Sequence, residues 1–206
     1  MNSYIVEFGA GSAAKTISLI RGGGKAVNLV RLAGRGFPVP PGFVCTTDAY
    51  RAVVTANSLN GVIEAALHGL HGTDPAALDG ASALIRAAFE AAEVPEEIAA
   101  SIREALALLG DGPVAVRSSA TAEDLADASF AGQQDTYLNV VGADAVVDAV
   151  VRCWGSLWTA RAIGYRTQAG IAHDDVALAV VVQRQIASEA SGVAFTADPL
   201  SGARNR

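Results

Sequence analysis

Residues 176–182, Val-Ala-Leu-Ala-Val-Val-Val, form the longest uninterrupted apolar run in the chain, and Gln183 ends it. The run has the length of a strand and no polar alternation, the pattern of a strand buried on both faces. It is far too short to cross a bilayer. A strand of that kind needs a substantial core, and 51% hydrophobic residues in a 206-residue chain suffice for one large domain or two small lobes.

A second stretch, residues 114–140, sets the chemistry. Its apolar start, Val114-Ala115-Val116, leads into Arg117, Ser118, Ser119 and Thr121, and Ser129, Phe130, Ala131 and Gly132 follow downstream. A guanidinium at the end of a strand, beside hydroxyls and a small-residue loop, suits an anion such as polyphosphate. Thr121 and Asp124 equally have the spacing of a helix capping box, and Arg117 could pair with Glu123, so the pattern alone leaves the two readings even.

The net charge of -6 argues against general nucleic-acid binding, yet leaves room for a local basic pocket. The chain opens Met-Asn-Ser-Tyr-Ile-Val-Glu-Phe, without the basic region of a signal peptide, so no membrane association and a cytoplasmic location are the expectation. Cys45 and Cys153 lie far apart in apolar segments and read as packing residues. His68, His71 and His173 lack metal-site spacing and read as solvated surface residues.

Along the chain, residues 4–8 read as a short strand. The octet 9–16, Gly-Ala-Gly-Ser-Ala-Ala-Lys-Thr, nearly spells a P-loop, but Ala14 stands where the second glycine belongs and its Cβ would obstruct the backbone's approach to phosphate. Gly22-Gly23-Gly24-Lys25 precedes a helical pattern through Leu29, Val30 and Ala33. A lysine at the positive end of a helix is unfavourable unless an anion joins it, which makes Lys25 a ligand-contact candidate. Thr46 or Thr47 is expected to cap the next helix, and further helices are expected near residues 62–70, 74–89 and 95–109, with Arg86, Glu90 and Arg103 on a solvated face. The turn 110–113 is the best internal boundary, dividing residues 1–112 from 113–206. Beyond it, one long helix is expected from Asp144, with Val147, Val150, Trp154 and Trp158 inward and Arg161, Tyr165 and Arg166 closing it at the dipole's negative end; a second short strand is expected at 193–196.

Six separated segments, in order, resemble the N-terminal nucleotide-binding domain shared by phosphoenolpyruvate synthase, pyruvate phosphate dikinase and rifampin phosphotransferase. They are Gly23-Gly24-Lys25 with Asn28-Leu29, residues 36–43 with 46–50, 116–124, 129–133, 153–158, and 191–199. The resemblance implies an α+β, ATP-grasp-like fold in which two lobes clamp ATP, residues 1–112 forming the lobe with the Gly-Gly-Lys contact and 113–206 the nucleotide-binding lobe. It further implies that Lys25 and Arg117 hold the phosphates as the catalytic pair, that the loop of Ser129, Phe130, Ala131 and Gly132 closes over them, and that Gln183, Arg184, Gln185 and Ile186 line the adenine, partly by backbone.

By the same resemblance, ATP with Mg2+ would phosphorylate a histidine on a separate domain, and an acceptor-binding domain would complete the enzyme. The family domain continues past the Asp198-Pro199-Leu200-Ser201-Gly202 turn into strands bearing the acidic magnesium ligands, so the sequence is expected to stop within the C-terminal lobe, with the metal ligands outside it. Two departures stand out: residues 26–32 lack the glycine and small residues usual after the lysine, and Gln185 replaces an apolar residue beside the adenine. The competing expectation is a non-catalytic nucleotide-binding or regulatory fragment.

Overall fold

The computed structural model describes residues 4–9, 16–70, 74–121, 135–195, 197–198 and 202–203. The fold is α+β. Strand β1 (Ile5–Phe8) leads to α1 (Leu19–Gly34), β2 (Gly42–Cys45) and four helices: α2 (Thr47–Ala56), α3 (Leu59–Leu67), α4 (Pro75–Glu90) and α5 (Glu96–Leu109). Then come β3 (Val114–Ala120), β4 (Thr136–Val140), α6 (Ala143–Gly155), α7 (Ala160–Ala169) and β5 (Leu178–Arg184). The strands make one sheet in the order β1-β2-β5-β3-β4, with every neighbouring pair antiparallel.

The apolar run becomes the middle strand. β5 pairs with β2 on one side and β3 on the other, and residues 178–182 are each fully buried. Because side chains alternate across a strand, the two faces of β5 enter different cores. Leu178, Val180 and Val182 join Phe43, Cys45, Val114 and Val116 on the face covered by α2, α5 and α6, with α3, α4 and α7 behind these helices. Ala179 and Val181 join Val44, Ala26 and Val30 on the opposite face, where α1 lies across the sheet. Strands from both sides of the 110–113 turn thus share one sheet, with β5 between β2 and β3.

Local chemistry explains the helix ends. Asp74 accepts a hydrogen bond from the Ala76 N–H and Pro75 occupies the first helical position, so α4 starts there. Thr159 caps α7 through the Ala162 N–H, and Gly170 closes it in the left-handed region at φ 65°. Thr46 sits at the cap position of α2 without a side-chain cap bond, and the Thr47 hydroxyl donates instead to the Ile20 carbonyl at 2.8 Å, tying α2 to α1. Thr46 thus holds the expected cap position, but through its backbone carbonyl, which accepts from the Ala49 N–H at 3.0 Å, rather than through its side chain.

The expected long helix from Asp144 is broken. After Gly155, residues 156–158 tighten into a 3-10 turn and Thr159 starts a new helix. The inward tryptophans hold: Trp154 and Trp158 are buried, Tyr50 stacks on Phe89 at 5.9 Å, and the Trp158 indole N–H donates to the Tyr50 hydroxyl at 3.1 Å. Residues 193–195 form no strand, and Val193 and Phe195 are exposed. Among the described residues no strand pairs with them, which leaves the segment without the ladder that defines a strand.

Candidate functional site

The helix carrying Lys25 is two segments joined at Gly23, whose backbone (φ 69°, ψ 170°) is not helical. A Cβ at this position would lie 2.2 Å from the Ser119 carbonyl oxygen, so only glycine lets α1 approach β3 this closely. The second segment starts there. The Ala26 N–H donates to the Ser119 hydroxyl at 3.1 Å, and the Lys25 ammonium donates to the Ser118 carbonyl. Close packing at this helix is thus achieved with Ala26 fully buried, despite the missing glycines after Lys25.

Arg117 lies one residue earlier in β3, opposite Val181 of β5 and Thr136 of β4. Alternation along β3 puts Arg117 with Ala115 and Ser119 on the α1 face, and Ser118 with Val116 on the opposite core face. Arg117 is half-buried, and among the described residues its guanidinium has no hydrogen-bond or ion-pair partner. Beyond the edge of α1 the same face presents Thr136 and the 60% exposed Leu138. The fold therefore brings Lys25 and Arg117, 92 positions apart in the sequence, onto adjacent ground, with an open strip of sheet beside them.

The Ser119 and Thr121 hydroxyls near Arg117 have other partners. Ser118 and Ser119 are both buried, and Thr121 donates to the Ala177 carbonyl at 3.3 Å, extending the β3–β5 pairing. None of these three side chains is presented to a ligand as the sequence reading supposed. Glu123, Asp124 and the Ser129, Phe130, Ala131 and Gly132 loop lie outside the described residues, as does most of the 9–16 octet.

Gln183 shares the Arg117 face and is buried, donating from Nε2 to the Pro40 carbonyl at 2.9 Å. Arg184 is turned the other way: its guanidinium bonds the Leu109 carbonyl, and its backbone N–H bonds Pro41 at 2.9 Å. Gln185 is fully engaged. Its carboxamide accepts from the Asn139 N–H at 2.7 Å and donates to the Asn139 side chain at 2.8 Å, while its own N–H donates to the Pro113 carbonyl. Ile186 is 57% exposed and offers apolar surface at the strand's end. Asn139 has φ 55°, a conformation Asn tolerates better than most residues, and this lets its backbone and side chain both face Gln185.

Other groups singled out from the sequence are structural. Burial pushes the Cys153 thiol up to about 12 and raises Cys45 as well, so both stay protonated and act as packing groups. Arg166 lies in the last turn of α7, as expected of a cation closing that helix, but is fully buried, lying 4.9 Å over the Trp158 ring and donating to the Leu157 carbonyl and to His173 Nδ1. Burial lowers it to about 10, still charged at neutral pH. His173 is accordingly a half-buried acceptor, not a free surface histidine. Arg86 and Arg103 are half-buried rather than fully solvated, and pair with Asp135 and with Glu96 and Asp144. A 550 Å³ cleft lined by Glu90, Arg103, Asp148 and Arg152 contains no residue of α1 or β3. Among the described residues no cluster of His, Cys, Asp or Glu could hold a metal ion, and no helix is long and apolar enough to cross a membrane.

Comparison with known proteins shows the family. Residues 20–206 match the family described as pyruvate phosphate dikinase, AMP/ATP-binding domain. The chain is 50% identical to a probable phosphoenolpyruvate synthase of Methanocaldococcus jannaschii, over 87% of this chain and 16% of that protein. It is 50% identical to a rifampicin phosphotransferase of Streptomyces sviceus, over 88% of this chain and 21% of that protein. The phosphoenolpyruvate synthase of Aeropyrum pernix is 45% identical, over 89% of this chain and 23% of that protein. The chain thus spans less than a quarter of the length of each of these three relatives. With the match running from the start of α1 through β5, this chain belongs to the pyruvate phosphate dikinase AMP/ATP-binding domain family.

Proposed function

We propose that this chain is the ATP-binding portion of a dikinase-type phosphotransferase, of the phosphoenolpyruvate synthase or rifampin phosphotransferase kind, which uses ATP to phosphorylate a histidine on a separate domain. The observation that carries the proposal is the placement of the Lys25 ammonium on the carbonyl of the residue next to Arg117, on the sheet face that α1 only partly covers. Two cations on adjacent elements are suited to bridge neighbouring phosphates, where charge-assisted hydrogen bonds are strongest. In this reading Lys25, from residues 1–112, and Arg117, from residues 113–206, hold the phosphates and orient the reacting phosphoryl group. Residues 129–132 close over it. Gln183 and Ile186 line the adenine with side chains, and Arg184 and Gln185 contribute backbone, since their side chains serve Leu109 and Asn139.

The proposed arrangement is ATP-grasp-like, with the open strip beside Arg117 as one wall of a clamp. Mg2+ would arrive with ATP and offset phosphate charge. The described residues do not fit a metal site, so its ligands are assigned to none of them. The phosphohistidine and acceptor domains are proposed partners, in keeping with the length of the relatives, and the site of action is proposed to be the cytoplasm.

Calorimetric titration with ATP tests the binding reading. Wild-type protein is expected to bind, with affinity strongly reduced in Lys25→Ala and in Arg117→Ala; equal affinity in all three proteins would overturn it. Formation of AMP, measured separately with the remaining domains supplied in trans, distinguishes a transferase component from a fragment that only binds nucleotide.

A further inference from the structure

We infer that Ser119 is the positioning residue of the phosphate site: its buried hydroxyl caps, from another strand, the helical segment that carries Lys25, and thereby fixes Lys25 relative to Arg117. The inference rests on the reading of Lys25 and Arg117 as phosphate ligands.

The first N–H groups of a helix have no partner within it, and a Ser, Thr, Asp or Asn at the cap position normally supplies an acceptor to the third residue's N–H. In α1 the segment restarts after Gly23, so Gly23 is the cap residue and has no side chain to offer. Gly24, Lys25 and Ala26 are then the first three helical residues. The acceptor for Ala26 comes from Ser119 Oγ at 3.1 Å, in the place a cap side chain would occupy. Ser119 is 0% exposed, so no water stands ready to replace it.

Two consecutive residues of α1 thus grip two consecutive residues of β3. Lys25 meets the Ser118 carbonyl and Ala26 meets the Ser119 hydroxyl, directly beyond Arg117. The absent Cβ of Gly23 is what permits the approach, since one there would also lie 2.7 Å from the Ala120 carbonyl. Removing the hydroxyl leaves a buried N–H unpaired, and the first turn, which includes Lys25, relaxes away from β3. Arg117, held in the ladder between β4 and β5, keeps its place.

The test compares ATP with adenosine, which lacks the phosphates, by calorimetry at a temperature where circular dichroism shows each variant folded. Ser119→Ala is expected to lose at least tenfold in ATP affinity while adenosine stays within twofold. Added to Lys25→Ala, it is expected to lower ATP affinity by less than twofold more, because the serine acts through the lysine. Unchanged ATP affinity, equal losses for ATP and adenosine, or a full tenfold loss on top of Lys25→Ala would each overturn the inference. If Ser119→Ala does not fold, Ser119→Thr keeps the acceptor and is expected to bind ATP within threefold of wild type, a tenfold loss counting against the cap. ATP affinity insensitive to both Lys25→Ala and Arg117→Ala would instead sink the phosphate-site reading, and the positioning role with it.

Discussion

At Gly23 a single missing side chain lets helix and strand touch. Its φ of 69° is one an L-residue rarely adopts, and the strain of holding alanine there is on the order of 1–3 kcal/mol. The clash with the Ser119 carbonyl adds to that, because the obstructing atom belongs to a strand paired on both sides and has nowhere to move. Gly23→Ala is therefore expected to destabilise the protein by about 3 kcal/mol or more, read as a fall in urea midpoint with unchanged slope. A loss under about 1 kcal/mol would match an ordinary glycine and show that the kink relaxes. Arg117→Ala belongs to the same face and has the opposite signature. Its side chain is half-buried without a described partner, so stability should change little, whereas ATP binding should weaken by about 2 kcal/mol, the loss of one charge-assisted contact, measurable as roughly a 30-fold rise in Kd. Arg117 stood out in the sequence as a cation among hydroxyls at an expected strand end, but β3 runs on past it to Ala120, so it sits mid-strand. Ser119's role was not legible, since its partner Ala26 lies 93 residues away and nothing local distinguishes a serine that faces ligand from one that caps a distant helix.

Among the elements, α7 and the 3-10 turn after it, His173–Asp175, are joined by a pair whose protonation matters. Arg166 donates to His173 Nδ1, which must be unprotonated to accept. Burial, and then the neighbouring guanidinium, lower the histidine below its ordinary 6.5, and Asp174 only partly opposes them. The unfolded chain therefore binds the proton more readily than the folded one. This contribution is complete above about pH 6.5 and is lost as pH falls from there through the lower folded value. Urea midpoints at pH 7.5 and 5.0 should drop more for wild type than for His173→Asn, which keeps an acceptor oxygen but does not titrate. Equal drops would show that His173 carries none of the acid sensitivity. The elements themselves were legible to different degrees. The 176–182 run announced β5 because a central strand has no polar face, and Asp74-Pro75 announced α4 because cap chemistry is local. The break at 156–158 was hidden, since Val147, Trp154 and Trp158 keep a helical spacing across it and only the cap at Thr159 marks the new start. Residues 193–195 misled for the reverse reason: a short apolar pattern has strand character only if another strand is there to pair with it.

The whole molecule is a sheet with unequal cover. α2, α5 and α6, backed by α3, α4 and α7, fill one face, while among the described residues α1 is the one helix on the other, and it leaves the part of β3 and β4 near Arg117 open. In the proposed site, a ligand bound on the open side would touch α1 through Lys25 and the sheet through Arg117 at once. It can bind this way only when helix and sheet are docked, and therefore favours the folded state over any state in which α1 has detached. Binding restricted to the folded state stabilises it by RT ln(1 + [L]/Kd), about 2.7 kcal/mol at a hundredfold excess over Kd, which for a chain of this size is a rise in Tm of roughly 5–11 °C. The overall charge of -6 opposes approach of a polyanion, so the gain must come from the local pair rather than from long-range attraction. The expected outcome is a concentration-dependent rise in Tm with ATP, most of it lost in the Lys25→Ala/Arg117→Ala double variant, measured by differential scanning calorimetry with inorganic sulfate as a control for general anion effects. A rise that survives the double variant, or that sulfate reproduces at equal ionic strength, would show that ATP acts somewhere other than the junction of α1 and β3.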